Sequence, residues 1–99
     1  MKIMISQPMR GKTIEQIRTE REELVKELEK QGHEVIDTVF ENVPCDLSDN
    51  NLAIYYLAKS IEFISKVDGL VFMPGWAEAR GCRIEYETAI AYGKFIKVV

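Results

Sequence analysis

A carboxylate set among arginines is the most chemically suggestive pattern in this chain. Glu85 follows Arg80, Gly81 and Arg83 in the run ARGCRIEYETAIAYGK, and a second basic group, Arg10 and Lys12, flanks Gly11 in SQPMRGK. Arginines beside a carboxylate at one mouth are a pattern that can hold an anionic small molecule. On helix arguments alone, Glu85 reads instead as a first-turn acid that stabilises a helix end. Trp76, the single Trp of the chain, lies in PGWAEARG. It is either a platform on which a base stacks or a cover for the edge of a sheet.

The elements that must gather these residues follow from periodicity. Residues 2–5 are a short apolar run, read as a buried first strand. Thr13 with Gln16 is a capping-box signature, and Ile14, Ile17, Leu24, Val25 and Leu28 then recur at helical spacing up to Gly32. Residues 34–40 read as a second strand and residues 41–51 as a loop. Ile54, Leu57, Ile61, Ile64 and Val67 mark a second amphipathic helix. Residues 69–73 form a third strand, residues 79–92 a third helix and residues 95–99 a final strand. Strand and helix in strict alternation predict a parallel sheet covered on both faces. With right-handed crossovers the simplest result is one doubly wound, flavodoxin- or Rossmann-like α/β domain over residues 1–99, with strand order 2-1-3-4. That order puts a switch point between the first and third strands, where the loops 6–12 and 74–80 diverge and leave a crevice.

The first of these loops runs into a helix N-terminus, whose backbone N–H groups and dipole favour an anion. It is neither a P-loop nor a dinucleotide fingerprint. Arg10, Lys12, Arg80 and Arg83 at one mouth, in a chain of net charge −3, point to an anionic ligand such as a phosphate. Glu85, within about 40° of the helix stripe that carries Ala89, would point into the crevice, partly desolvated, with the helix dipole favouring its ionised form.

Composition narrows the class. The net negative charge argues against a nucleic-acid binder that coats phosphates. No apolar run approaches the ~20 residues of a membrane span, and the N-terminus does not read as a signal peptide. Cys45 and Cys82 are expected as free thiols in a reducing cytoplasm, with Cys82 packed in the core. His33 reads as a solvated turn residue, and no metal set or cofactor motif is expected. Small cores recover stability by pairing with a copy of themselves, so a homo-oligomer is expected, with Tyr56 or Tyr86 as residues that would reach the interface.

The stretches ISQPMRG, VDGLVFMPGW and RGCRIEYETAIAYGK together resemble the nucleoside 2-deoxyribosyltransferase superfamily, and most closely its DUF4406 branch. The most specific part is the spacing of Gly81, Glu85, Ala89, Gly93 and Lys94. The resemblance implies that Glu85 is a nucleophile that attacks an anomeric carbon, expels a base and forms a glycosyl ester, as retaining glycosidases do. It also implies that Ser6, Gln7, Pro8, Met9, Arg10 and Gly11, with Gly75, Trp76, Arg80 and Gly81, line the sugar, base and phosphate sites. Active members place an Asp eight residues before the Asp that opens the third strand. Here Asp68 opens it and Ser60 holds the earlier position, while Ala79 stands where the monophosphate glycosidases carry a Ser.

Two functions are therefore expected from the sequence. One is an N-glycosidase or deoxyribosyltransferase that acts on a nucleoside or nucleoside 5′-monophosphate through Glu85. The other is a non-catalytic nucleotide-binding protein of the same fold. A third expectation, an assembly module, needs none of these residues to bind a ligand.

Overall fold

A computed structural model describes residues 1–38 and 48–99. Its elements are β1 (Lys2–Ser6), α1 (Ile14–Lys30), β2 (Glu34–Ile36), α2 (Asp49–Ile64), β3 (Gly69–Phe72), a single 3-10 turn (Trp76–Glu78), α3 (Arg80–Ala91) and β4 (Phe95–Val98). The four strands form one all-parallel sheet of order β2-β1-β3-β4, the expected order.

The alternation of β1 explains how the sheet is covered. Successive strand side chains point to opposite faces. Ile3 and Ile5, with Val71 of β3, pack against Leu24, Val25 and Leu28 of α1. Met4, with Leu70 and Phe72 of β3, packs on the other face against Ile64 of α2 and Ala89 of α3. One helix covers one face and two cover the other. Burying a side chain such as Phe72 contributes about 1.5–3 kcal/mol, so these two clusters hold the layers together.

The capping box foreseen for α1 is formed. Thr13 Oγ1 accepts from the Gln16 N–H, and Gln16 Oε1 accepts from the Thr13 N–H. The helix closes at Gly32, whose φ of 90° is left-handed and suits glycine. The N–H groups of Gly32 and His33 bond back to the carbonyls of Glu29 and Leu28, which satisfies two end carbonyls.

Several boundaries differ from the sequence reading, those of β1, α3 and β4 by no more than a single residue at either end. The second strand ends at Ile36; Asp37 and Thr38 leave the ladder, and Val39 and Phe40 lie outside the described residues, as do Cys45 and most of the expected 41–51 loop. Residues 49–51 are already helical, because Ser48 caps α2 by accepting from the Asn51 N–H. Met73 falls just past β3, although its N–H still bonds to the Ser6 carbonyl. Among the described residues, no helix is long and apolar enough to cross a membrane.

Candidate functional site

Ser6 ends β1, and the parity of the strand aims it at the face covered by α2 and α3. Its hydroxyl donates to Glu85 Oε2 at 2.9 Å inside the core. Glu85 shares the inward face of α3 with Cys82 and Ala89 and is only 8% exposed. It sits in the second turn of α3, and no acid occupies the first turn. The end-stabilising role suggested by helix arguments is therefore not the one this residue has.

The electrostatics also differ from the expectation. Burial pushes the Glu85 carboxyl up to about 7, and the Ser6 and Ser60 hydroxyls and the Arg21 charge only partly oppose it. The helix dipole falls off within the first turn, whereas desolvation acts on the whole group. Desolvation wins. Glu85 thus changes charge near neutrality, which suits a group that must be an anion in one step and can hold a proton in another.

Gln7, the next residue, faces the other way. Its Nε2 donates to the Ile17 carbonyl at 3.1 Å, and its Oε1 accepts from Arg21 Nε at 2.8 Å. Arg21 lies on the buried stripe of α1 and is 5% exposed. Its Nη1 donates to Thr38 Oγ1 at 3.3 Å, and its Nη2 is buried with no hydrogen-bond partner among the described residues. Such an orphan donor costs about 1–3 kcal/mol. Burial lowers the Arg21 pKa, while Asp37 and, more weakly, Glu85 raise it.

Arg21 was not singled out by the sequence reading, and neither was Thr38. The signal for Arg21 was present. Positions 17, 21, 24 and 28 are one helical stripe, and Ile17, Leu24 and Leu28 are apolar. A charged residue on a core stripe is anomalous unless the fold uses it.

The remaining expected residues are placed as follows. Pro8 and Met9 are half-buried, Arg10 and Gly11 are exposed in the turn, and Lys12 is paired with Glu20 at 2.8 Å. The two loops meet at Gly75, where a Cβ would come within 3.4 Å of Pro8 Cγ. Gly75 has a φ of 89°, which lets the chain turn directly from β3 into the 3-10 turn. Arg80 and Arg83 are exposed on the first turn of α3. Ala79 caps that helix without any side-chain bond, so the end N–H groups there are freer than at α1, where the capping box uses them. Gly81 is half-buried, and a Cβ on it would meet nothing within 4 Å.

Trp76 is half-buried. Its ring stacks on Tyr86 at 4.5 Å and lies tilted on Phe72 at 5.4 Å. Tyr86 is thereby held inside its own chain by Trp76 and Phe72.

Asp68 is not brought to the site. It stands at the amino end of β3, where its carboxylate accepts from the Lys2 N–H at 2.8 Å. His33 lies at the same end, with Nδ1 3.2 Å from the N-terminal amine. Cys82 is a buried free thiol, and burial raises its pKa. Among the described residues, no three His, Cys, Asp or Glu side chains are grouped to hold a metal ion.

Comparison with known proteins gives one match. A family model described as "Domain of unknown function (DUF4406)" matches residues 1–98. No curated protein matches the chain, and no solved structure matches it.

Proposed function

We propose that this chain, which belongs to the DUF4406 family, is a cytoplasmic N-glycosidase or deoxyribosyltransferase that cleaves the N-glycosidic bond of a nucleoside or nucleoside 5′-monophosphate through Glu85. The observation that carries the reading is the buried carboxylate of Glu85, held by Ser6 at the carboxyl end of β1. Helix stabilisation asks for no such placement. A switch-point crevice between β1 and β3 is where doubly wound sheets receive ligands, and the resemblance to nucleoside 2-deoxyribosyltransferases supplies the reaction.

With Oε2 held by Ser6, Oε1 is the oxygen presented to the anomeric carbon. It forms the C–O bond as the C–N bond breaks, and the electron pair of that bond leaves with the base, which takes a proton from water. Water or a second base then displaces the carboxylate from the glycosyl ester. The ionised form of Glu85 is required in the first step, so turnover rises as the carboxyl loses its proton.

A second reading, binding without turnover, is favoured by Ser60. Its hydroxyl stands near Glu85 where the resemblance expects an acid, and a hydroxyl cannot supply that charge. Self-association belongs to either reading. Ile54 and Ile61, seven residues apart on one face of α2, are 63% and 38% exposed, an apolar surface that a second copy would cover.

The test is direct. Wild-type and Glu85→Gln proteins are incubated with nucleosides and 5′-monophosphates, and released base is followed by chromatography. Free base from the wild type and none from the variant supports the enzyme. Ligand-induced thermal stabilisation with no base released supports the binding protein. Base release that survives Glu85→Gln removes the mechanism.

A further inference from the structure

Arg21 is a buried cation whose direct partners are neutral. Nε is bonded to the Gln7 amide and Nη1 to the Thr38 hydroxyl, and Nη2 is buried with no partner among the described residues. A guanidinium cannot shed its charge, and a buried charge is costly unless an opposite charge meets it. The Gln7 bond fixes the guanidinium plane, because Gln7 is itself tied to the Ile17 carbonyl. The cation is thus rigid, desolvated and one bond short of satisfaction, and it is held at the carboxyl end of β1 by Gln7, the residue that follows the Ser6 partner of Glu85.

We propose that Arg21 is the anion-binding residue of this site, its Nη2 donating to a phosphate oxygen of a nucleoside 5′-monophosphate. The proposal rests on the reading of Glu85 given above and narrows it, since it makes the monophosphate rather than the free nucleoside the ligand. A phosphate supplies the acceptor oxygen that Nη2 lacks and brings a negative charge into direct contact with the guanidinium, which Asp37 and Glu85 act on without a bond to it. The exposed Arg10, Arg80 and Arg83 serve a different purpose. Charges in water are screened, so they draw the anion to the mouth, whereas a desolvated cation discriminates between charged and uncharged ligands. Gln7, which holds Arg21, directly follows Ser6, which holds Glu85, so the cation and the carboxylate flank the same end of β1 from its two faces.

The experiment measures binding by calorimetry of inorganic phosphate, a nucleoside and the matching 5′-monophosphate to wild-type, Arg21→Lys and Arg21→Gln proteins. The wild type is expected to bind the monophosphate at least tenfold more tightly than the nucleoside. Arg21→Gln is expected to erase that preference while nucleoside affinity changes less than threefold, and Arg21→Lys to keep part of it. Inorganic phosphate is expected to compete with the monophosphate and not with the nucleoside. Equal wild-type affinity for nucleoside and monophosphate, or a preference that survives Arg21→Gln, overturns the proposal.

Should the variants fail to fold, the Arg21 side-chain 15N resonances of the wild type are followed instead. They are expected to move on addition of the monophosphate and to stay fixed with the nucleoside; resonances that ignore the monophosphate overturn the proposal. The two readings fail separately. Base release that depends on Glu85 with no preference for phosphate sinks only the Arg21 proposal, and phosphate binding that depends on Arg21 with no base released sinks only the enzyme.

Discussion

The Ser6 hydroxyl donates to the Glu85 carboxylate at 2.9 Å, which ties the last residue of β1 to the second turn of α3 across 79 residues of sequence. The bond lies where water is excluded, so it acts on the acid with little screening. It favours the ionised form against the much larger effect of burial.

Ser6→Ala removes that donor. The Glu85 carboxyl is then expected to titrate above its present value of about 7, and the fold to lose about 1–2 kcal/mol at pH 8, where the anion is left short of a donor. Thermal unfolding across a pH series reads both effects. A midpoint identical to that of the wild type would mean that the hydroxyl does not hold the acid.

Glu85 also makes stability depend on pH. Its folded pKa of about 7 lies above the ordinary 4.5, so between these values the native state binds more protons than the unfolded chain. Stability therefore falls as pH rises through the window from about 4.5 to 7, by about 3 kcal/mol in total, and is flat above it. Glu85→Gln removes this dependence and is expected to be the more stable protein at pH 8. Chemical denaturation at pH 5 and pH 8 checks the sign. If Glu85 acts as the proposed nucleophile, base release is expected to run the opposite way, rising to a plateau above pH 7.

Gly81 offers a test that separates fold from ligand. A Cβ there meets nothing within 4 Å, and alanine is favoured over glycine in a helix by about 0.5–1 kcal/mol. Gly81→Ala is expected to raise the melting temperature. If a ligand approaches the backbone at the start of α3, the same change weakens nucleotide binding severalfold. Higher stability with unchanged binding would place the ligand elsewhere.

Trp76 closes the core over Phe72 and Tyr86. Trp76→Ala is expected to cost about 2 kcal/mol, less than the loss at a fully buried ring because Trp76 is only half-buried. Trp76→Phe is expected to recover most of it. Urea unfolding of the two variants makes the comparison.

Much of the fold was legible because the chain advertises it. Short apolar runs, the Thr13 cap and the turn at Gly32 give four strands and three helices, and right-handed crossovers leave few ways to order them. The errors have physical causes. Asp49, Asn50 and Asn51 look like loop by composition, yet a polar first turn behind a capping Ser48 is how a helix starts. Residues 34–40 have the composition of a strand, but among the described residues pairing with β1 stops at Ile36. Glu85 was found from its position on the helix, while its raised pKa was missed because sequence shows the dipole and hides the depth of burial. Asp68 was assigned by resemblance, and its place at the amino end of β3 follows from the parallel register with Lys2 and Ile3. Arg21 was overlooked because its neighbours on α1 are also charged, and only the stripe, taken position by position, sets it apart.

Ser6 and Gln7 are consecutive, and they grip opposite partners on opposite sides of one sheet. A shift of β1 by a single residue exchanges every inward and outward side chain, so a slipped strand would set Gln7 against Glu85 and Pro8 against Arg21, or Ile5 against Glu85 and Ser6 against Arg21. Correct strand pairing and the assembly of both buried polar pairs are therefore the same event in this molecule. A chain that misaligns leaves Glu85 and Arg21 without their partners while keeping its secondary structure.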